Sequence, residues 1–372
     1  MKQHHISVTV SQTQFAENIH ILKEHIHPAK LCVVMKADAY GHGLEGLAET
    51  AISAGADFIG ICTNPEAHIV RSISKDIRLI RIRMALPEEL DESVAELNIE
   101  EEVGTWEAAE YLNEAGMRRG EPVPVHLKLD TGMGRGGFDF GELDAMRQVI
   151  ALPGLRIVGV MTHLANADDK TLDHSLGNQI QAFAHFAETL GPELPDDVIF
   201  HTHNSAATIR LPNIRGDMVR VGAACYGVRT SRNFENLPGL KPIMSVKSRI
   251  AQVRHIPTGT KIGYGSTYET KRPSWIATIP VGFGEGYPRA LFNKGIVLIG
   301  GHRCPVVGRV SLNVTAIDVT DLPFTPKWGE EVVLFGDQGN ESITFEEMAD
   351  AFESVHTEIN LMAGSMNEIT YV

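Results

Sequence analysis

The sequence predicts an α/β protein: an N-terminal (β/α)8, TIM-like barrel over residues 1–232, followed by a mostly-β domain over 233–372. Three observations lead there. Short apolar runs alternate with helical patterns through the first part of the chain, and their number favours a barrel over a doubly wound sheet. After residue 230 the texture changes to strands separated by Gly, Pro and Asp turns. Polar residues gather just after the apolar runs, where barrel enzymes keep their chemistry.

The elements follow in order. Ser11–Gln14 forms a capping box, after which Phe15, Ile19, Leu22 and Ile26 recur at helical spacing. Leu31–Met35 is apolar and β-rich, as a strand buried on both faces should be. A Gly-containing turn follows, then a helix carrying Leu44, Leu47, Ala48 and Ala51. Further strands are predicted at 57–61, 77–82, 123–129, 156–161, 198–200 and 218–221, with Ile99–Val103 recognised mainly by its place in the series. Helices are expected around 107–115 and 179–189. In the second domain strands are predicted at 245–254, 275–280, 295–299, 305–307, 314–319 and 331–335, with one helix at 345–352; roughly the first ten residues are free to pair with this domain.

A formal charge of −14 and no run of Lys and Arg argue against nucleic-acid binding. No apolar run approaches the ~20 residues that a bilayer crossing needs, and the N-terminus carries no apolar signal core. Cys32, Cys62, Cys225 and Cys304 are scattered without a CxxC pair, which reads as reduced thiols. The expectation is a cytoplasmic protein without membrane or nucleic-acid partners.

Lys36 ends the first barrel strand, with Tyr40 and His42 beyond it. A charge there must be solvated, paired or chemically modified. An ion-paired or snorkelling lysine is one reading; a Schiff-base lysine, neutralised by a bound carbonyl cofactor, is the other. Ser205, Gly222 and Ala223 follow late strands, the usual phosphate cradle of such barrels. Lys128, Arg135, His163 and Arg220 occupy equivalent strand-end positions. Two other motifs compete. Gly132, Gly134 and Gly137 satisfy a dinucleotide fingerprint but lack the following helix and ribose-binding acid. His201 and His203 form an H-x-H pair that reads as structural rather than metal-binding, so no metal is expected.

Val33–Gly43 resembles the cofactor-lysine motif of alanine racemases, and the resemblance covers nearly the whole chain. It continues through Lys128–Arg135, Met161–Ala165, His203–Ala207, Val219–Gly222, Gly263–Gly265, Pro280–Tyr287 and Val307–Asn313. The resemblance implies pyridoxal 5'-phosphate on Lys36, and a head-to-tail homodimer with shared active sites. It implies that Lys36 and Tyr264 are bases on opposite faces of a free amino acid, Tyr264 reaching into the partner subunit's site. His163 would lie against the cofactor, and Arg220 would donate to the pyridine nitrogen. Tyr40, Asn204, Ser205, Gly222 and Ala223 are the further cofactor contacts, and Arg135 and Leu312 would hold the substrate carboxylate. Lys128 matches a lysine that some members carry as a carbamate.

The chain departs from the alanine-specific pattern. Ser311–Asn313 replaces Cys-Met-Asp, Phe283 stands where many members have tyrosine, and Ile359 falls where a tyrosine crowds the pocket entrance. With Phe283, Asn313 and Ile359 at the entrance, the resemblance implies racemisation of amino acids beyond alanine, such as serine, lysine and arginine. The alternatives are a non-catalytic cofactor-binding protein, an amino-acid decarboxylase of the same fold, and, more remotely, a metal-dependent hydrolase.

Overall fold

The structure is a computed structural model that describes residues 5–211, 216–231, 233–352 and 355–372. Arg232, at the boundary expected from sequence, lies outside them. The chain separates into two units, one comprising Phe15–Ala39 and Leu44–Leu240, the other Met1–Gln14, Tyr40–Gly43 and Lys241–Val372.

The strands are β1 (Ile6–Val10), β2 (Lys30–Val34), β3 (Phe58–Ile61), β4 (Arg78–Arg81), β5 (Ile99–Val103), β6 (Val123–Lys128), β7 (Leu155–Met161), β8 (Ile199–His201) and β9 (Met218–Val221). β2 to β9 form the eight-stranded parallel barrel the sequence predicts, in the order β8-β7-β6-β5-β4-β3-β2-β9. Backbone bonds from Asp217 to Phe200 (2.8 Å) and from Arg220 to His203 (2.9 Å) bridge the remaining gap. The strands read as apolar runs because both faces are covered: Leu31, Val33, Ile59, Leu79 and Val125 are all fully buried. Ser11 Oγ accepts the backbone N–H of Gln14, opening the helix Gln12–Ile26.

β5 reads poorly as a strand because it carries three consecutive glutamates. Each is buried and paired. Glu100 meets Arg78 and His126, Glu101 meets Arg81 at 2.8 Å and Ser93, and Glu102 meets Lys128. Strand alternation sends Glu101 toward the surrounding helices and the other two into the barrel.

In the second unit one sheet runs His302–Pro305, Ile296–Ile299, Glu331–Gln338, Met244–Arg249, β1, Ile369–Tyr371, and Glu341–Ile343 pairs with Glu331–Gln338. β1 is antiparallel to Met244–Arg249 and parallel to the final strand. A second sheet holds Gln252–Ile256, Ser274–Ile279 and Thr315–Asp318. The single strand expected at 245–254 is therefore two. Ile250 N–H bonds to Glu330 while Ala251 N–H bonds to Thr278, so the chain changes sheets between neighbouring residues with no Gly or Pro to mark it. The strand expected at 305–307 lies instead at His302–Pro305, in a hairpin turned by Gly300 and Gly301, both at positive φ. The helix Phe345–Phe352 is followed by a second, His356–Ser365, which is not among the elements expected from the sequence.

Candidate active site

Lys36 stands where β2 ends. The four residues after it, Ala37 to Tyr40, all have φ between 52° and 56°, so the chain winds through a left-handed helical turn. Left-handed winding costs roughly 1–2 kcal/mol per non-Gly residue, so surrounding bonds must hold it. Glu66 supplies one: its carboxylate accepts Ala37 N–H at 2.6 Å and Cys62 N–H at 2.8 Å. Asp38 supplies another, accepting Leu44 N–H at 2.7 Å. Tyr40 and the buried His42 lie in the short segment grouped with the C-terminal unit. There Gly41 packs so closely on the Asn360 carbonyl that a Cβ would sit 2.5 Å from it.

Arg220, at the end of β9, is buried and donates to Thr162 O (2.7 Å), His201 O (3.0 Å) and His201 Nδ1 (2.7 Å). Its Nη2 also lies 3.4 Å from His163 Nδ1. Burial lowers its pKa to about 10, which leaves it a cation at neutral pH. His163 is pushed down to about 2, first by burial and then by the charges of Arg220, Lys128, Arg135 and Lys36. The structure gathers Lys36, Lys128, Arg135, His163 and Arg220, which the sequence scatters over 185 positions, into one cationic cluster.

Arg135 is presented by a loop organised around Asp130. Asp130 Oδ1 accepts the N–H groups of Gly132, Met133 and Gly134 at 2.8–3.0 Å, and Oδ2 accepts those of Arg135 and Gly136. Burial works against ionisation of Asp130, but the backbone donors prevail and hold its pKa below the usual value. The glycine-rich loop thus spends its amides on its own aspartate, which removes the dinucleotide reading. Lys128 Nζ lies 3.4 Å from Glu102 Oε1, and Glu102 Oε2 is buried without a hydrogen-bond partner.

Ser205 begins the helix Ser205–Arg210, capped by Asn204, whose side chain accepts Ala207 N–H and donates to Leu164 O. Ser205 Oγ accepts the N–H groups of Gly222 (3.0 Å) and Ala224 (3.4 Å), which brings Ser205 against the Gly222–Ala224 backbone. Both ring nitrogens of His201 are committed, to Arg220 and His126, which argues against the H-x-H metal reading. Among the described residues no cluster of three or more His, Cys, Asp or Glu is placed to hold a metal ion.

In the C-terminal unit Tyr264 is 73% exposed on a turn between Gly263 and Gly265, both at φ 72°. Leu312 is 55% exposed, its carbonyl accepting Gly284 N–H at 2.7 Å. Phe283 N–H bonds to Ser311 O, and Asn313 Nδ2 donates to Glu285 Oε1 at 2.6 Å, so these loops form one assembly. Ile359 is not on its exposed side but behind it, sharing a buried cavity with Glu285 and Tyr287. It lines that small apolar cavity with Ile6, Val246, Phe335 and Phe345, because an apolar side chain on this helix gains more from that core than from a polar entrance. Nothing local in the sequence marks Glu66; for Glu102 the run of glutamates in a buried strand is the available signal.

The fold and site define a barrel with cationic strand ends and a β domain presenting an exposed tyrosine. Family models of the alanine racemase N-terminal and C-terminal domains match residues 10–230 and 243–371. The chain belongs to the alanine racemase family. It is 38% identical to a broad specificity amino-acid racemase of Pseudomonas taetrolens over 97% of this chain and 88% of that one. It is 36% identical to a lysine racemase of Proteus mirabilis, covering 91% and 83%. An alanine racemase of Bartonella henselae, solved with covalently bound pyridoxal phosphate, superposes with a TM-score of 0.88 at 26% identity, covering all of both chains. The decarboxylase alternative is not supported by these matches.

Proposed function

We propose that the protein interconverts the L and D forms of free amino acids, using pyridoxal 5'-phosphate held covalently by Lys36, with a substrate range wider than alanine. The carrying observation is the convergence of Lys36, Lys128, Arg135 and Arg220 on His163 at the strand ends. A donor set so rich in cations and poor in acceptors fits a phosphorylated cofactor and a substrate carboxylate. Ser205, Gly222 and Ala223 fit the phosphate, with Asn204 positioning Ser205 and Tyr40 adding a hydroxyl. Arg220 fits the pyridine nitrogen, and neutral His163 fits a place against the ring.

When bound, pyridoxal phosphate supplies an electron sink that acidifies the substrate Cα–H bond. The chain's own residues do the rest. Arg135, fixed by the Asp130 loop, and the backbone of Leu312 orient the substrate carboxylate. Lys36 Nζ and Tyr264 Oη take or give a proton at Cα from opposite sides, which is what inversion requires. Tyr264 and Leu312 are solvent-exposed in one chain, which supports a homodimer whose second copy completes each site. A substrate range beyond alanine is supported by the relatives named for broad specificity and for lysine, and by Ser311–Asn313 and Phe283, but no longer by Ile359. All four cysteines are free thiols, which supports a reducing compartment, the cytoplasm. No helix among the described residues is long and apolar enough to cross a membrane.

The test is the visible spectrum of purified protein with racemisation of alanine, serine, lysine and arginine measured alongside. Colourless protein that gains no absorbance with added pyridoxal phosphate would defeat the cofactor assignment. Turnover of alanine alone would defeat the wider range.

A further inference from the structure

Below the strand-end cluster, a continuous hydrogen-bonded chain crosses the barrel interior. Arg220 Nη1 bonds to His201 Nδ1 at 2.7 Å, His201 Nε2 to His126 Nδ1 at 2.9 Å, and His126 Nε2 to Glu100 Oε2 at 2.7 Å. Arg78 closes it, reaching Glu100 through Nε (2.5 Å) and Nη2 (2.9 Å). These groups sit on β9, β8, β6, β5 and β4, and both histidines are fully buried.

The direction of each bond is forced. Arginine only donates, so His201 Nδ1 must be the acceptor and its proton must sit on Nε2. That proton is donated to His126 Nδ1, which leaves His126 with its own proton on Nε2, donated to a carboxylate that only accepts. Burial and the Arg220 charge push the His201 pKa down, so this imidazole is neutral. Burial works against ionisation of Glu100, but the bonds from His126 and Arg78 outweigh it and hold the carboxyl ionised.

β7 runs between the strands that carry the two histidines, and its residue beside His126 is Gly159. A Cβ there would lie 2.0 Å from His126 Nδ1. Gly159 is not at positive φ, so its missing side chain makes room for the ring rather than easing a turn. A purely structural Arg78–Glu100 pair would need neither histidine nor this gap, and barrel interiors are ordinarily filled by Val, Ile and Leu.

We infer that Glu100 is a positioning residue for Arg220, acting through His126 and His201. The chain is fixed from both ends, Arg220 able only to donate and Glu100 only to accept, so that the two demands agree and the guanidinium keeps one orientation. The role in turnover rests on the proposed reading of Arg220 as the pyridine-nitrogen donor; the tautomers do not.

The test is ¹⁵N NMR of histidine-labelled, cofactor-free protein, with wild type, Gly159→Ala and Glu100→Gln compared. Wild type should show His201 and His126 protonated at Nε2 and bare at Nδ1. Gly159→Ala drives a methyl group into the His126 ring. Glu100→Gln, which keeps the shape and covers the case in which the first variant fails to fold, turns an amide NH2 toward Arg78 or His126. In both, His126, which loses its fixed acceptor or its place, should lose its single tautomer, and the bond it takes from His201 should weaken with it. In the loaded enzyme kcat should then fall about tenfold with little change in KM. A proton on His201 Nδ1 in wild type, an unchanged tautomer in the variants, or a changed tautomer with unchanged kcat would overturn the inference. Absence of racemisation by wild type would instead overturn the proposed function and leave the tautomer result standing.

Discussion

Lys128 Nζ and Glu102 Oε1 lie 3.4 Å apart inside the barrel, with both side chains at least nine-tenths buried. Burial lowers the Lys128 pKa and Glu102 raises it, so the carboxylate is what sustains the ammonium there. Glu102→Gln should destabilise the protein by about 3–5 kcal/mol, because it strands a buried charge. Urea unfolding measures this. A carbamate on Lys128 would set a second negative charge against Glu102. We therefore expect no carbamate carbon signal in wild-type protein equilibrated with ¹³C-bicarbonate.

The histidines make stability depend on pH. His163 is depressed from the ordinary 6.5 to about 2, and His201 is driven well below 6.5. Below pH 6.5 the unfolded chain binds protons that the folded chain refuses. The stabilisation is complete above that pH and is lost progressively as pH falls toward the folded-state values. Each histidine contributes a slope of up to about 1.4 kcal/mol per pH unit. Urea midpoints of the cofactor-free protein should already drop between pH 7 and pH 5; a flat profile would contradict the assignment.

Asp130 gives the Arg135 loop its shape. Asp130→Asn replaces one accepting oxygen with a donor that faces backbone N–H groups. The amide should release the loop, raising KM for the amino acid about tenfold while bound cofactor absorbance stays normal, consistent with loss of charge-assisted bonds. Equal KM values would show that the loop does not position Arg135.

Lys36 and Tyr264 should separate in their effects. Lys36→Ala should abolish both colour and racemisation. Tyr264→Phe should keep the colour and lose most turnover, on the order of a hundredfold or more for a missing acid–base group. Unchanged racemisation would remove Tyr264 from the mechanism.

What the sequence discloses depends on where the anomaly lies. Lys36, His163 and Arg220 stand at the ends of apolar strands, where a lone polar residue contrasts with its neighbours and the barrel rule supplies a meaning. Glu100 and His126 are no less polar, yet they sit in the middle of their strands. Their partners lie 22 to 75 residues away, so nothing local shows that they are satisfied. β5 suffers most: three glutamates in five residues oppose the strand pattern until Arg78, Arg81 and Lys128 are brought beside them. Ile359 fails for the opposite reason. Its position along the chain is consistent with an entrance, but the face of the helix it occupies is settled by Phe345 and Phe335.

The left-handed turn has a consequence for dissection of the protein. Within four residues of Lys36 the chain leaves one unit for the other, and by Leu44 it has returned. The excursion is gripped from distant sequence: Gly41 abuts Asn360, and the Gly43 position meets the ring of Tyr371, whose hydroxyl bonds to His42 O at 3.3 Å. A fragment ending at residue 240 would keep every barrel strand and still lose the clamp that holds a wrong-handed turn against its own preference. The lysine would remain in the polypeptide, but the truncated barrel would be a poor carrier for it.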